Sequence, residues 1–218
     1  NPKMKERDKF VLSKGHAGPV QYAALALRGY FPKESILGLR KLGGKFQGHP
    51  DMNKVPGIEM STGSLGQGFA VAAGMAMANQ LDRNPGRVYV LIGDGELQEG
   101  QTWECIQAAS YYHLDNFVIV IDANGQQVEG AVDQQMALEP LAARFTAFGA
   151  KCVTCSGHNI EELLQAAQTP HPEQPLILLC RTRGTTGIPL LEKKWPFLHF
   201  VRISEEEKAD YQAFYEAM

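Results

Sequence analysis

The chain has 218 residues and a mass of 24.0 kDa, which suits one large domain or two small ones. Lys+Arg 21 against Asp+Glu 24 leaves a formal charge of −3 and a pI near 6.1, which argues against a nucleic-acid binder and a polybasic membrane surface. Hydrophobic content of 44% is ordinary for a globular domain, and the longest run without a polar side chain, Phe69–Ala78, is too short to span a bilayer.

The chain opens on the charged stretch Asn1–Asp8 with no apolar run behind it, so no secretory leader is expected. It does not start with Met, and the expectation is a piece truncated at its N-terminus. A helix is predicted over Val20–Leu27 behind the Gly-rich entry Gly15-His16-Ala17-Gly18. Gly43–Gly57 reads as a long polar loop holding Gly48-His49-Pro50-Asp51, and Ile58–Thr62 as a weak strand. Gly63-Ser64-Leu65-Gly66-Gln67-Gly68 is a turn that opens an Ala-rich helix to about Leu81. Small residues at Ala70, Ala72, Ala73, Gly74, Ala76 and Ala78 allow that helix to approach a neighbour closely.

From Gly86 onward strands and helices alternate. Arg87–Ile92, Phe117–Ile121, Lys151–Thr154 and Leu176–Cys180 read as strands. Glu99–His113, Leu138–Phe148 and Ile160–Gln168 read as helices, the last with Asn159 as N-cap. Apolar strands alternating with helices predict an α/β fold, a doubly wound and mainly parallel sheet with helices on both faces. One domain over 1–218 is expected, with 183–218 as a loop and helical tail; Glu205-Glu206-Glu207 reads as a solvated helix face. Cys152-Val153-Thr154-Cys155 falls in a strand and lacks a second metal-binding pair, so Cys105, Cys152, Cys155 and Cys180 read as structural thiols in a reducing cytoplasm.

The chemistry concentrates where Gly93-Asp94-Gly95 ends one strand and Asp122-Ala123-Asn124-Gly125 ends the next. Right-handed crossovers put both turns on one sheet edge, where ligands bind. The Asp94 carboxylate, the Asn124 amide oxygen and the Gln126 carbonyl are hard oxygen donors suited to Mg²⁺ or Ca²⁺, with phosphate completing the shell. A helix after Gly95 would aim its N–H groups at the same anion. Gly63–Gly68 does not match the dinucleotide spacing and reads instead as a backbone wall against a flat ring. His16, His49 and His199 lie in loops and suit polar contacts to phosphate and hydroxyls; His113, His158 and His171 read as structural or exposed. Glu96, Glu99 and Glu104 form an acidic group, and acids early in a helix are also favoured by its dipole.

These residues resemble a known family. Gly93-Asp94-Gly95 followed by Asn124 is similar to the thiamine-diphosphate fingerprint. Leu12-Ser13-Lys14-Gly15-His16-Ala17, Gly48-His49-Pro50, Ser61–Gly68 and Gly93–Gly100 sharpen the resemblance to transketolase, over about Asp8–Thr182. The length resembles the N-terminal subunit of the split, two-chain type.

The resemblance implies a diphosphate-binding half that moves a two-carbon ketol group from a ketose to an aldose. It implies Mg²⁺, with Ca²⁺ or Mn²⁺ as alternatives, on Asp94, Asn124 and the Gln126 carbonyl. It places the diphosphate on Gly95, Asn124 and His16 with Glu96 beside them, and the aminopyrimidine along Gly63, Ser64 and Leu65. It gives donor hydroxyls to His49, a diphosphate and substrate contact to His199, and an inter-site link to Glu99 and Glu104. The implied partners are a C-terminal subunit carrying the pyrimidine-binding domain, a second copy of this chain, and small sugars. Ser64 stands in place of the usual Pro, Ala123 where Asn is frequent, and Phe200 where Gly follows the histidine. Rival readings are another thiamine-diphosphate half, of the 2-oxoacid dehydrogenase α or deoxyxylulose-phosphate synthase kind, and a non-catalytic subunit.

Overall fold

The computed structural model describes residues 4–217. Asn1-Pro2-Lys3 and Met218, at the ends of the expected domain and tail, lie outside the described residues. In chain order the main elements are β1 (Lys9–Leu12), α1 (Gly18–Leu27), α2 (Gln67–Leu81), β2 (Val88–Gly93), α3 (Gly100–Tyr111) and β3 (Phe117–Ala123). A small hairpin of β4 (Gln126–Gln127) and β5 (Gly130–Ala131) follows, then α4 (Val132–Gln135) and α5 (Leu141–Ala147). The chain continues through β6 (Lys151–Ser156), α6 (Ile160–Ala167), β7 (Leu176–Arg181) and α7 (Lys208–Glu216).

The main sheet has five strands in the order β1-β2-β3-β7-β6, and every pair is parallel. β2, β3 and β7 are apolar on both faces because both faces are covered. One face packs on α2, α3 and α5 through a core that includes Phe69, Val90, Ile106, Ile119 and Phe145. The other face packs on α6 through Val118, Leu176, Leu178 and Ala166. Phe69 stacks on Phe117 at 5.7 Å and Trp103 on Phe145 at 5.4 Å. Phe69, Phe117 and Phe145 are fully buried, and each such ring contributes roughly 1.5–3 kcal/mol.

The doubly wound parallel fold expected from the sequence is therefore the one observed, and the strands and helices from Gly86 to Arg181 fall close to their predicted bounds. Asn159 caps α6, its Oδ1 accepting the N–H groups of Glu161 (3.0 Å) and Glu162 (3.2 Å). Four readings change. β1 is an edge strand that the alternation rule does not detect, since it is four residues long with Phe10 exposed. Ile58–Thr62 forms no strand; Ile58 instead joins a small cluster with Tyr22, Phe46 and Val55. α5 begins at Leu141 rather than Leu138, because Pro140 takes the N-cap position. Glu205–Glu207 is a turn ahead of α7, tied down by Glu205–Lys208 and Lys194–Glu207 ion pairs.

Candidate active site

The register of β2 on β3 pairs Gly93 with Asp122, so the two following turns meet at the same sheet edge. Asp94 is 5% exposed and spans both turns: Oδ1 accepts the Gly95 N–H (3.0 Å) and Oδ2 the Gly125 N–H (2.7 Å). Burial pushes its carboxyl up to about 6, with the Asp122 charge adding to the rise and the two N–H groups opposing it. Asn124 Oδ1 accepts the Gln126 N–H (3.0 Å), and its Nδ2 donates to Asp122 Oδ2 (3.1 Å). The same Asp122 oxygen takes the Lys14 ammonium at 2.6 Å, and Thr182 Oγ1 donates to the other. Burial opposes ionisation of Asp122, yet Lys14, Thr182 and Asn124 hold its carboxyl below the usual range.

A cleft of about 370 Å³ opens on this edge. Of the sequence-predicted residues, His16, Leu65, Asp94, Gly95, Glu96, Glu99, Asn124, Gln126 and His199 line it. The rings of His16 and His199 lie 4.7 Å apart. Burial, then Lys14, His199 and His49, push His16 down to about 4, so its imidazole is neutral and can donate or accept a hydrogen bond. His199 is also lowered, by burial and Lys14.

His49, Gly63, Ser64 and Glu104 are not among the lining residues. His49 stacks against the Gly63 backbone, where an added Cβ would come within 2.9 Å of its ring. At Gly15 an added Cβ would stand 2.7 Å from Gly63 N, so the His16 loop and the Gly63 turn pass backbone to backbone. Gly66 takes φ +81, a conformation open to glycine, and starts α2. Ser64 and Glu104 are exposed. Glu99 is the N-cap residue of α3, and Glu104 lies farther along that helix on its solvent side.

Two findings differ from the sequence reading. A 3-10 turn, Gly95–Gln98, stands between Gly95 and α3, so the N–H groups at the edge belong to that turn rather than to an α-helix. Glu96 points inward, 2% exposed: Oε1 accepts Ser13 Oγ and the Gly66 N–H (2.7 Å), bracing the glycine turn against β1. Burial raises its carboxyl pKa against hydrogen bonds from Ser13, Gly66 and Gly93 and the charge of Lys14. Sequence reasoning gives no role to Lys14, Asp122 or Thr182. The one signal available is a charged residue, Asp122, closing an apolar strand.

The donor set fits a hard cation held jointly with phosphate. It supplies one carboxylate and one amide oxygen beside a lysine and two histidines. Among the described residues no group of three or more His, Cys, Asp or Glu side chains could hold a metal by itself. A phosphate-bearing ligand would therefore have to complete the shell.

Parallel strands ending in a glycine-bounded carboxylate and a second amide turn, beneath a histidine-lined cleft, define a diphosphate-binding α/β domain. Residues 1–209 match the family described as "Transketolase, thiamine diphosphate binding domain", and the chain belongs to that family, one of transferases. It is 42% identical over 208 residues to a 6-deoxy-6-sulfo-D-fructose transketolase subunit of Clostridium sp. (strain MSTE9), covering 94% of this chain and 75% of that one. It is 36% identical to an apulose-4-phosphate transketolase subunit of Phocaeicola vulgatus, covering 94% and 73%. The crystal structure of transketolase from Campylobacter jejuni superposes with a TM-score of 0.76 at 36% identity, covering 84% of this chain and 30% of that one. The chain thus spans about three quarters of these two transketolase subunits and under a third of the Campylobacter jejuni transketolase chain.

Proposed function

We propose that this chain is the diphosphate-binding subunit of a two-chain transketolase that moves a two-carbon ketol group from a ketose to an aldose. The observation that carries this is the convergence of Asp94 and Asn124 on one cleft edge beside His16, His199 and Lys14. Thiamine diphosphate, when bound, supplies the electron sink for breaking and making the carbon–carbon bond. The chain's own groups bind and orient. Asp94, Asn124 and the Gln126 carbonyl would hold Mg²⁺, while Gly95 and neutral His16 would contact the diphosphate. Gly63, Ser64 and Leu65 would line the aminopyrimidine, and Glu96 would keep that wall in place. His49 and His199 would hydrogen-bond the sugar.

The exposed acids Glu99 and Glu104, with the small residues of α2, would face other subunits. Two copies of this chain with two copies of a pyrimidine-binding partner form the proposed cytoplasmic assembly. Two relatives carry names for action on 6-deoxy-6-sulfo-D-fructose and apulose 4-phosphate, so ketoses with an anionic end group are the first donors to screen. No helix of the described residues is long and apolar enough to cross a membrane.

Reconstitution tests the proposal. The chain alone is expected to transfer nothing, and adding the partner chain should yield two-carbon transfer that depends on cofactor and Mg²⁺. Turnover of a ketose by the chain alone would end the split-site reading. Absence of cofactor binding with the partner present, by calorimetry, would favour a non-catalytic role.

A further inference from the structure

Asp122 occupies the centre of the strand-end network without belonging to any role above. We propose that Asp122 is a positioning residue: it fixes which end of the Asn124 amide faces the cation, and Lys14 and Thr182 hold it in place. This rests on reading Asp94 and Asn124 as metal donors.

An asparagine side chain offers an oxygen and an NH₂ of nearly equal shape, and only the oxygen ligates a hard cation. An ionised carboxylate only accepts hydrogen bonds, so the end of Asn124 that lies 3.1 Å from Asp122 Oδ2 must be the NH₂. The Gln126 N–H, 3.0 Å from Asn124 Oδ1, is consistent with that orientation. Lys14, Asn124 and Thr182 all donate to Asp122. Asn124 lines the cleft and Asp122 does not, so it is the amide that faces the cation site. The Lys14 ammonium at 2.6 Å also balances its charge, which keeps a second carboxylate compatible with buried Asp94 nearby. Partners that orient a ligand in this way affect metal affinity without touching the metal.

The test titrates Mn²⁺ into the full chain together with thiamine diphosphate and the partner chain, reading free Mn²⁺ by electron paramagnetic resonance. Asp122→Asn lets the amide turn its NH₂ to the cation, and its Mn²⁺ affinity is expected to fall about 10–100-fold. In a Lys14→Met background, where no ammonium faces the new NH₂, the exchange D122N/N124D keeps one carboxylate in the pair, reverses the hydrogen bond and leaves only oxygen facing the cation; it is expected to regain most of the loss that D122N shows in that background. A residue needed only for folding would not show this rescue. Thr182→Val, close in volume, is expected to give a smaller loss in the same direction and serves if D122N does not fold. Wild-type affinity in D122N and T182V, or an exchange variant no tighter than D122N in the Lys14→Met background, overturns the assignment. A wild-type assembly whose cofactor binding ignores Mn²⁺ and Mg²⁺ overturns the metal reading, and the role of Asp122 with it.

Discussion

The strand ends at the cleft and the tail beyond Arg183 are both tied by charged side chains at similar distances, but in different surroundings. Lys14–Asp122 is 2.6 Å long with side chains 11% and 26% exposed; Arg183–Glu192 is 2.5 Å long with 53% and 47% exposed. Water screens the second pair, whereas the first lies where little water competes. The cleft pair therefore fixes the strand ends and Asn124, and the tail pair mainly keeps a loop near them. His199 sits on that loop, and its place in the cleft depends on the Leu198 N–H reaching Gln126 Oε1 (3.3 Å) and on the contact with His16.

The largest effect is expected at Asp94. Asp94→Ala removes the carboxylate from both turns, and cofactor affinity with Mg²⁺ present should fall by more than about 100-fold, beyond the usual cost of losing an outer partner. Asp94→Asn, which keeps one oxygen donor, should lose less. Fluorescence quenching by thiamine diphosphate measures both, and unchanged affinity in the alanine variant contradicts the assignment.

Next comes Glu96. Glu96→Ala leaves the Ser13 hydroxyl and the Gly66 N–H buried without their acceptor, at about 1–3 kcal/mol each. Glu96→Gln keeps one acceptor oxygen for the Ser13 hydroxyl and the Gly66 N–H. Its urea midpoint should lie much nearer to wild type than that of the alanine variant. Equal midpoints for the two variants would mean that Glu96 is not a brace.

A smaller effect concerns His16, faced by Lys14, His199, His49 and Asp122. Its folded-state value of about 4 lies below the ordinary 6.5, so between these the unfolded chain binds a proton that the folded chain refuses. Stability from this group is complete above pH 6.5 and is lost as pH falls toward 4. The wild type should therefore lose more stability than His16→Asn between about pH 7 and about pH 5, by the margin that linkage sets. Parallel pH slopes in urea unfolding would refute it. The smallest effect is expected for Glu205→Ala, which breaks the exposed pair with Lys208 and whose unfolding midpoint should match wild type within error; a clear drop would erase the contrast between cleft and tail.

Most of the sheet is legible from sequence because β2, β3 and β7 are runs of apolar residues long enough to have no competing reading. β1 is not, since Lys9 opens it, Phe10 faces outward and β2 alone supports it. Asp94 and Asn124 can be read from turn chemistry at the ends of adjacent strands. Lys14 and Thr182 cannot, because their tie to Asp122 spans 108 and 60 residues and depends on strand order. Glu96 is visible as an acid, but its inward direction follows from the 3-10 turn that replaces the expected start of a helix.

The brace made by Glu96 also bears on how the chain reaches its final state. Ser13 and Gly66 lie 83 and 30 residues from it along the chain. Contacts between segments this far apart carry a loop-closure cost that local helices do not. The cleft is complete only at the step where the edge strand is docked and both loops close on one carboxylate. A ligand that binds only the completed cleft adds its binding free energy to that step, so the protein should fold more stably with its cofactor than without it.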